Sequence, residues 1–176
     1  MGRALLVVPS LGFSVTQYRR VRELLEKEGF QAQVAAPRSG EIRLTGFSLK
    51  PDLELGQAKA GDYDLVIFIA GRGNRELWNS QEAHRVVREA VATGKVIGAS
   101  GAAVAILANA GVLQGRRATG PLSLAVVLKD KGAQYTAESV AADEGIVTLR
   151  HSEGFDSFAR ELLQRVRGRE EVRKAA

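Results

Sequence analysis

The 176 residues suit one domain with a sizeable core and are too few for two full domains. Hydrophobic residues at 45% and charged residues at 26% are ordinary for a globular protein, which argues against a largely disordered chain. The chain has no cysteine, two histidines (His84 and His151) and a net charge of +5, so disulfides, thiol chemistry and cysteine- or histidine-rich metal sites are excluded. No metal and no cofactor are expected.

Short apolar runs alternate with longer amphipathic ones. Residues 4–8 predict a buried strand, ended by Pro9. Residues 14–28 predict a helix with Tyr18, Val21, Leu24 and Leu25 on one face and Arg19, Arg20, Glu23 and Lys27 on the other. Gly29 stops it. Residues 31–36 read as a second strand, and residues 42–55 as two short, more polar strands around Gly46. Residues 65–69 are five consecutive large apolar side chains, a pattern suited to a parallel strand covered on both faces. A helix is expected over residues 76–92, a strand over 95–99, a small-residue helix over 102–110 and a further helix over 122–131. Residues 139–142 and 146–149 flank the turn Asp143-Glu144-Gly145. A closing helix starts at Phe155 and runs to Val166 or beyond. Parallel strands need crossover helices, so this alternation implies an α/β three-layer sandwich.

The charge is concentrated at the end. Residues 159–176 hold six basic and three acidic side chains, a net of +3, which leaves +2 for the rest. The division expected is one domain over residues 1–168 and a charged tail over 169–176. Acids alternate with bases there and no aromatic follows Phe158, which argues against nucleic acid as a partner. The opening apolar run is too short for a signal segment or a membrane span, so a cytoplasmic protein without membrane contact is expected.

In such sheets ligands bind beyond the carboxyl ends of the strands. Three of those ends stand out. Ser14 is placed to cap the first helix, with Gln17 three residues on completing a capping box. Gly71-Arg72-Gly73 follows the strongest strand, but Glu76 stands where a dinucleotide fingerprint needs its third glycine. Gly98-Ala99-Ser100-Gly101-Ala102 has the small residues of a nucleophile elbow, close to the Gly-x-Ser-x-Gly pattern of hydrolases. A serine hydrolase there would use Ser100, with His151, just after a strand, as the imidazole within reach. The competing reading is a tight strand-to-helix turn.

Taken together, these segments resemble the ThiJ/PfpI family, whose members include the Parkinsonism-associated deglycase, in the class I glutamine amidotransferase-like superfamily. The resemblance covers nearly the whole chain. It rests most on Ala110-Gly111-Val112-Leu113-Gln114-Gly115-Arg116-Arg117-Ala118-Thr119, with support from Leu24 to Phe30, Asp62 to Ile67 and Ile146 to Arg150. It implies a flavodoxin-like α/β/α sandwich with a mainly parallel sheet, assembled as a homodimer or higher homo-oligomer. Family members are described as proteases, glyoxalases, deglycases, chaperones and redox sensors, built around a cysteine on a strained elbow, a following histidine and a glutamate near the first helix. Counting back from residues 110–113 puts Gly101 at the cysteine position and Ala102 at the histidine position. Counting back from Gly29-Phe30 puts Gln17 at the glutamate position. The reading that follows is a catalytically degenerate member with a binding or scaffold role. Its pocket is lined by Gln17, Gly71, Arg72, Ser100, Gly101 and Ala102, and Arg72 favours a small anion. The alternative is an amidase, peptidase or glyoxalase-like hydrolase that has moved its nucleophile to Ser100.

Overall fold

The computed structural model describes residues 2–176. The first strand, β1 (Arg3–Val7), is followed by helix α1 (Val15–Lys27) and strand β2 (Gln31–Ala36). A small hairpin, β3 (Ile42–Leu44) with β4 (Phe47–Leu49), turns at Gly46 as expected, and β5 (Leu53–Glu54) follows. Next come β6 (Leu65–Phe68), α2 (Gln81–Ala92), β7 (Val96–Ser100) and α3 (Val104–Asn109). The last part holds β8 (Arg117–Ala118), α4 (Ala125–Asp130), β9 (Gln134–Tyr135), β10 (Val140–Asp143), β11 (Ile146–Leu149) and α5 (Phe155–Ala175).

Seven strands form one sheet in the order β10-β11-β7-β6-β1-β2-β5. All neighbours run parallel except the antiparallel edge pair β10–β11. Side chains alternate between the faces with the period of two that a strand imposes. Leu5, Val7, Val66 and Phe68 face one core with Ala83, Val86 and Val87 of α2, Ile106 of α3 and Leu128 of α4. Ala4, Leu6, Leu65 and Ile67 face the other, with Val21 and Leu25 of α1 and Phe158 and Leu162 of α5. Burial on both faces explains why β1 and β6 read as unbroken apolar runs. This is the flavodoxin-like three-layer sandwich expected from the sequence.

Two local expectations need correction. The helix assigned to residues 76–92 starts only at Gln81, capped by Ser80. The segment before it, Arg72–Glu76, is a 3-10 helix whose three-residue spacing mimics helical periodicity over a short window. Second, the capping box at α1 is only half made. The Ser14 hydroxyl accepts from the Gln17 N–H at 3.2 Å, but the Gln17 side chain points elsewhere. Helix α5, expected to run to Val166 or beyond, continues without a break through Ala175. Arg169 there donates to the Gly94 carbonyl.

The hairpin β3–β4 lies against α1 through three rings. Phe47 meets Phe13 edge-on at 6.1 Å and Tyr18 at 5.7 Å. Burial in this cluster pushes the Tyr18 phenol above its ordinary pKa, partly offset by the Arg22 charge.

Candidate functional site

The chain switches direction across the sheet at β1, which is flanked by β2 on one side and β6 on the other. At such a switch the loops beyond the strand ends part and leave room for a ligand. Three loops meet here: residues 8–14 after β1, residues 69–80 after β6 and residues 101–103 after β7.

The first two loops are stitched together by their backbones. The Ser14 N–H donates to the Ala70 carbonyl at 2.7 Å, and Phe13 pairs with Gly71 in an isolated bridge. The Ser10 N–H and hydroxyl both donate to the Glu76 carboxylate, at 2.8 and 2.7 Å. The glycine pair 71 and 73 serves this approach. A Cβ on Gly71 would lie 2.2 Å from the Gly12 carbonyl oxygen, and one on Gly73 would lie 1.7 Å from that of Leu11. Close packing of two loops therefore accounts for the Gly-x-Gly spacing. Fully buried Asn74 holds the turn from within, its Nδ2 donating to the carbonyls of Ile69 at 2.7 Å and Gly71 at 3.1 Å.

Gln17 is buried and reaches across from α1 into the junction. Its Oε1 accepts from the Ala70 N–H at 2.7 Å and from the Ser100 hydroxyl at 2.6 Å. Ser100, the last residue of β7, is 1% exposed and its hydroxyl donates inward to Gln17. Next along the chain, Gly101 has φ of +54°, in the left-handed region that only glycine enters at little cost. The strand turns there into the helical segment that leads to α3. This is the geometry of an elbow with a glycine at its apex, where a Cβ would stand 3.3 Å from the Ala70 Cβ.

The structure therefore brings Gln17, Ser100 and Gly101 together around Ala70. His151 is exposed, and no hydrogen bond joins it to Ser100. The other histidine, His84, is held by its Nε2 against the Trp78 carbonyl at 2.8 Å.

Arg72 and Ala102 open instead onto a cleft of about 450 Å³ just outside the elbow. Arg75 and Trp78 line it with Arg72, and Pro121, Ser123 and Leu124 complete the lining. The Trp78 indole N–H donates to the Ala102 carbonyl at 2.8 Å, which fixes the ring beside the elbow. The Arg75 guanidinium lies over that ring, 5.5 Å from its centroid. Arg75, Trp78 and the rest of this lining were not singled out from sequence. The available signal was the spacing of three in Arg72, Arg75 and Trp78, which is uninformative until the segment is known to be 3-10. No cluster of three or more acidic or histidine side chains with metal-binding geometry occurs among the described residues. No helix there is long and apolar enough to cross a membrane.

Known proteins share this arrangement of elements. The chain is 26% identical to the uncharacterized protein MJ0967 of Methanocaldococcus jannaschii over 93% of its own length and 82% of that protein. It is 23% identical to Deglycase TK1284 of Thermococcus kodakarensis, covering 92% of this chain and 98% of the relative. The crystal structure of a ThiJ/PfpI domain protein from Brachyspira murdochii superposes with a TM-score of 0.88 at 22% identity, covering 94% and 96% of the two chains. Residues 3–165 match the DJ-1/PfpI family as a whole, and the chain belongs to that family.

Proposed function

We propose that this chain is a non-thiol member of the family, catalytically degenerate at the elbow, which binds a small anionic molecule beside it. One observation carries the reading: Gln17 Oε1 is already engaged by two donors, one of them the Ser100 hydroxyl. A neutral amide does not take up a proton at working pH, so the Gln17 side chain that the Ser100 hydroxyl bonds is no base for it. Its hydroxyl is buried and donates inward. Gly101 at the apex has no nucleophile, and the whole chain has no cysteine to supply one. These features support carrying over the family's elbow position to Gly101 and its glutamate position to Gln17. Deglycation, the activity in the name of the Thermococcus relative, is not proposed for this chain.

The binding half of the proposal rests on charge. Arg72 and Arg75 flank the cleft, and neither forms an ion pair among the described residues. An anion in the cleft would supply what they lack. We also propose that the chain works as a homo-oligomer in the cytoplasm, with its scaffold role exercised through that assembly. Trp78 is the only tryptophan, so its emission reports on the cleft directly. Titration with small carboxylates is expected to change that emission saturably. Absence of saturable binding by every carboxylate tried, checked by calorimetry, would overturn the ligand-binding reading.

A further inference from the structure

The wall of the cleft has a regular construction. Residues Arg72–Glu76 form a 3-10 helix, which has three residues per turn, so side chains at positions i and i+3 stand in one row. Arg72 and Arg75 are such a pair, and Trp78 continues the spacing on the same wall of the cleft. The only acid of the segment, Glu76, is turned to Ser10 and does not neutralise the pair. The row thus presents two guanidiniums without acidic partners, Arg72 and Arg75, the second of them lying over the Trp78 indole.

The indole is held in place. Its N–H is bonded to the Ala102 carbonyl and one guanidinium already stacks on its face. A fixed flat surface costs little conformational entropy when a ligand covers it. The cleft is also lined by Pro121 and Leu124, both apolar, and by Ser123. The volume, about 450 Å³, is in the range of small-molecule pockets and exceeds what acetate or phosphate would fill.

Resting on the anion-binding reading above, we infer that the ligand class is an aromatic monocarboxylate. Its carboxylate bridges Arg72 and Arg75, and its ring lies along Trp78 against Pro121 and Leu124. Guanidinium–carboxylate pairs supply strength and orientation. The ring adds apolar burial and stacking on the indole. A neutral ring compound leaves both arginines unpaired, and a bare anion leaves the indole wall uncovered. The site therefore discriminates against each half of the ligand offered alone.

Calorimetric titration with four probes tests this: phenylacetate, phenylacetamide, acetate and inorganic phosphate. Phenylacetate is expected to bind at least about tenfold more tightly than the other three. Arg72→Gln and Arg75→Gln should each weaken it about tenfold, with unchanged thermal unfolding because both side chains are exposed. Trp78→Phe keeps a ring and should retain most of the affinity, whereas Trp78→Leu should lose it. Acetate or phosphate binding as tightly as phenylacetate would overturn the aromatic inference and leave the anion-binding reading standing. Phenylacetamide binding equally well, or phenylacetate binding that ignores both arginine variants, would overturn the charge recognition. Binding by none of the four would overturn the inference and count against the anion-binding reading as well.

Discussion

Gln17→Leu is expected to lower the free energy of unfolding by about 3 kcal/mol, because two buried donors lose their acceptor at once. An unsatisfied buried donor costs about 1–3 kcal/mol, and here both the Ala70 N–H and the Ser100 hydroxyl are stranded. Leucine fills much of the same volume, so the loss reads the polar junction and not a cavity. Gln17→Glu keeps an acceptor of the same length and should be the milder change. Urea unfolding of the three proteins makes the comparison. A loss below about 1 kcal/mol for Gln17→Leu would mean that Oε1 is not the shared acceptor of the loop after β6 and of β7. The same junction governs the elbow, since it holds the Ser100 hydroxyl turned inward onto Gln17.

Gly71→Ala should be comparably damaging for a different reason. Its Cβ would fall 2.2 Å from the Gly12 oxygen and 2.4 Å from the Phe13 Cα, both backbone atoms that no rotamer change can clear. The loops after β1 and β6 would have to separate, at a cost of about 3 kcal/mol. Gly111→Ala is the control. Gly71 has φ of +157° and Gly111 of +84°, but nothing lies within 4 Å of the Gly111 Cβ, so the change at 111 should cost about 1 kcal/mol. Midpoints of urea unfolding should separate the two variants clearly. Equal effects would show that the glycine at 71 serves only its backbone angle and that the two loops are not in tight contact.

Much of the fold was legible because its signals are local. The apolar run at residues 65–69 and the turn at Asp143-Glu144-Gly145 each lie within a few residues of chain, and β6 and the β10–β11 hairpin formed where those signals stand. The tight strand-to-helix turn at residues 98–102 was legible too, since small residues end a strand just before a helix, whereas Gly101 as its apex came from the family resemblance and not from local pattern. The role of Gln17 was not. Its position fits a capping box, and the partners that claim its side chain lie 53 and 83 residues away. Tertiary hydrogen bonds over that separation leave no trace in local spacing. The cleft wall escaped for a related reason. Reading residues 76–92 as one α-helix placed Trp78 on a 3.6-residue repeat, whereas the preceding 3-10 turn aligns it with Arg72 and Arg75. The end of α5 shows the limit of charge patterning, because the alternation there suits a solvated helix end but does not fix where the helix stops.

The most direct test of a degenerate elbow is turnover by the purified chain, measured with methylglyoxal and with a glycated amine beside Ser100→Ala. The expected result is a rate equal to that of buffer for both proteins, with anion binding retained in both. Saturable turnover that falls by at least about tenfold in Ser100→Ala, with folding intact, would contradict it and restore Ser100 as a catalytic residue.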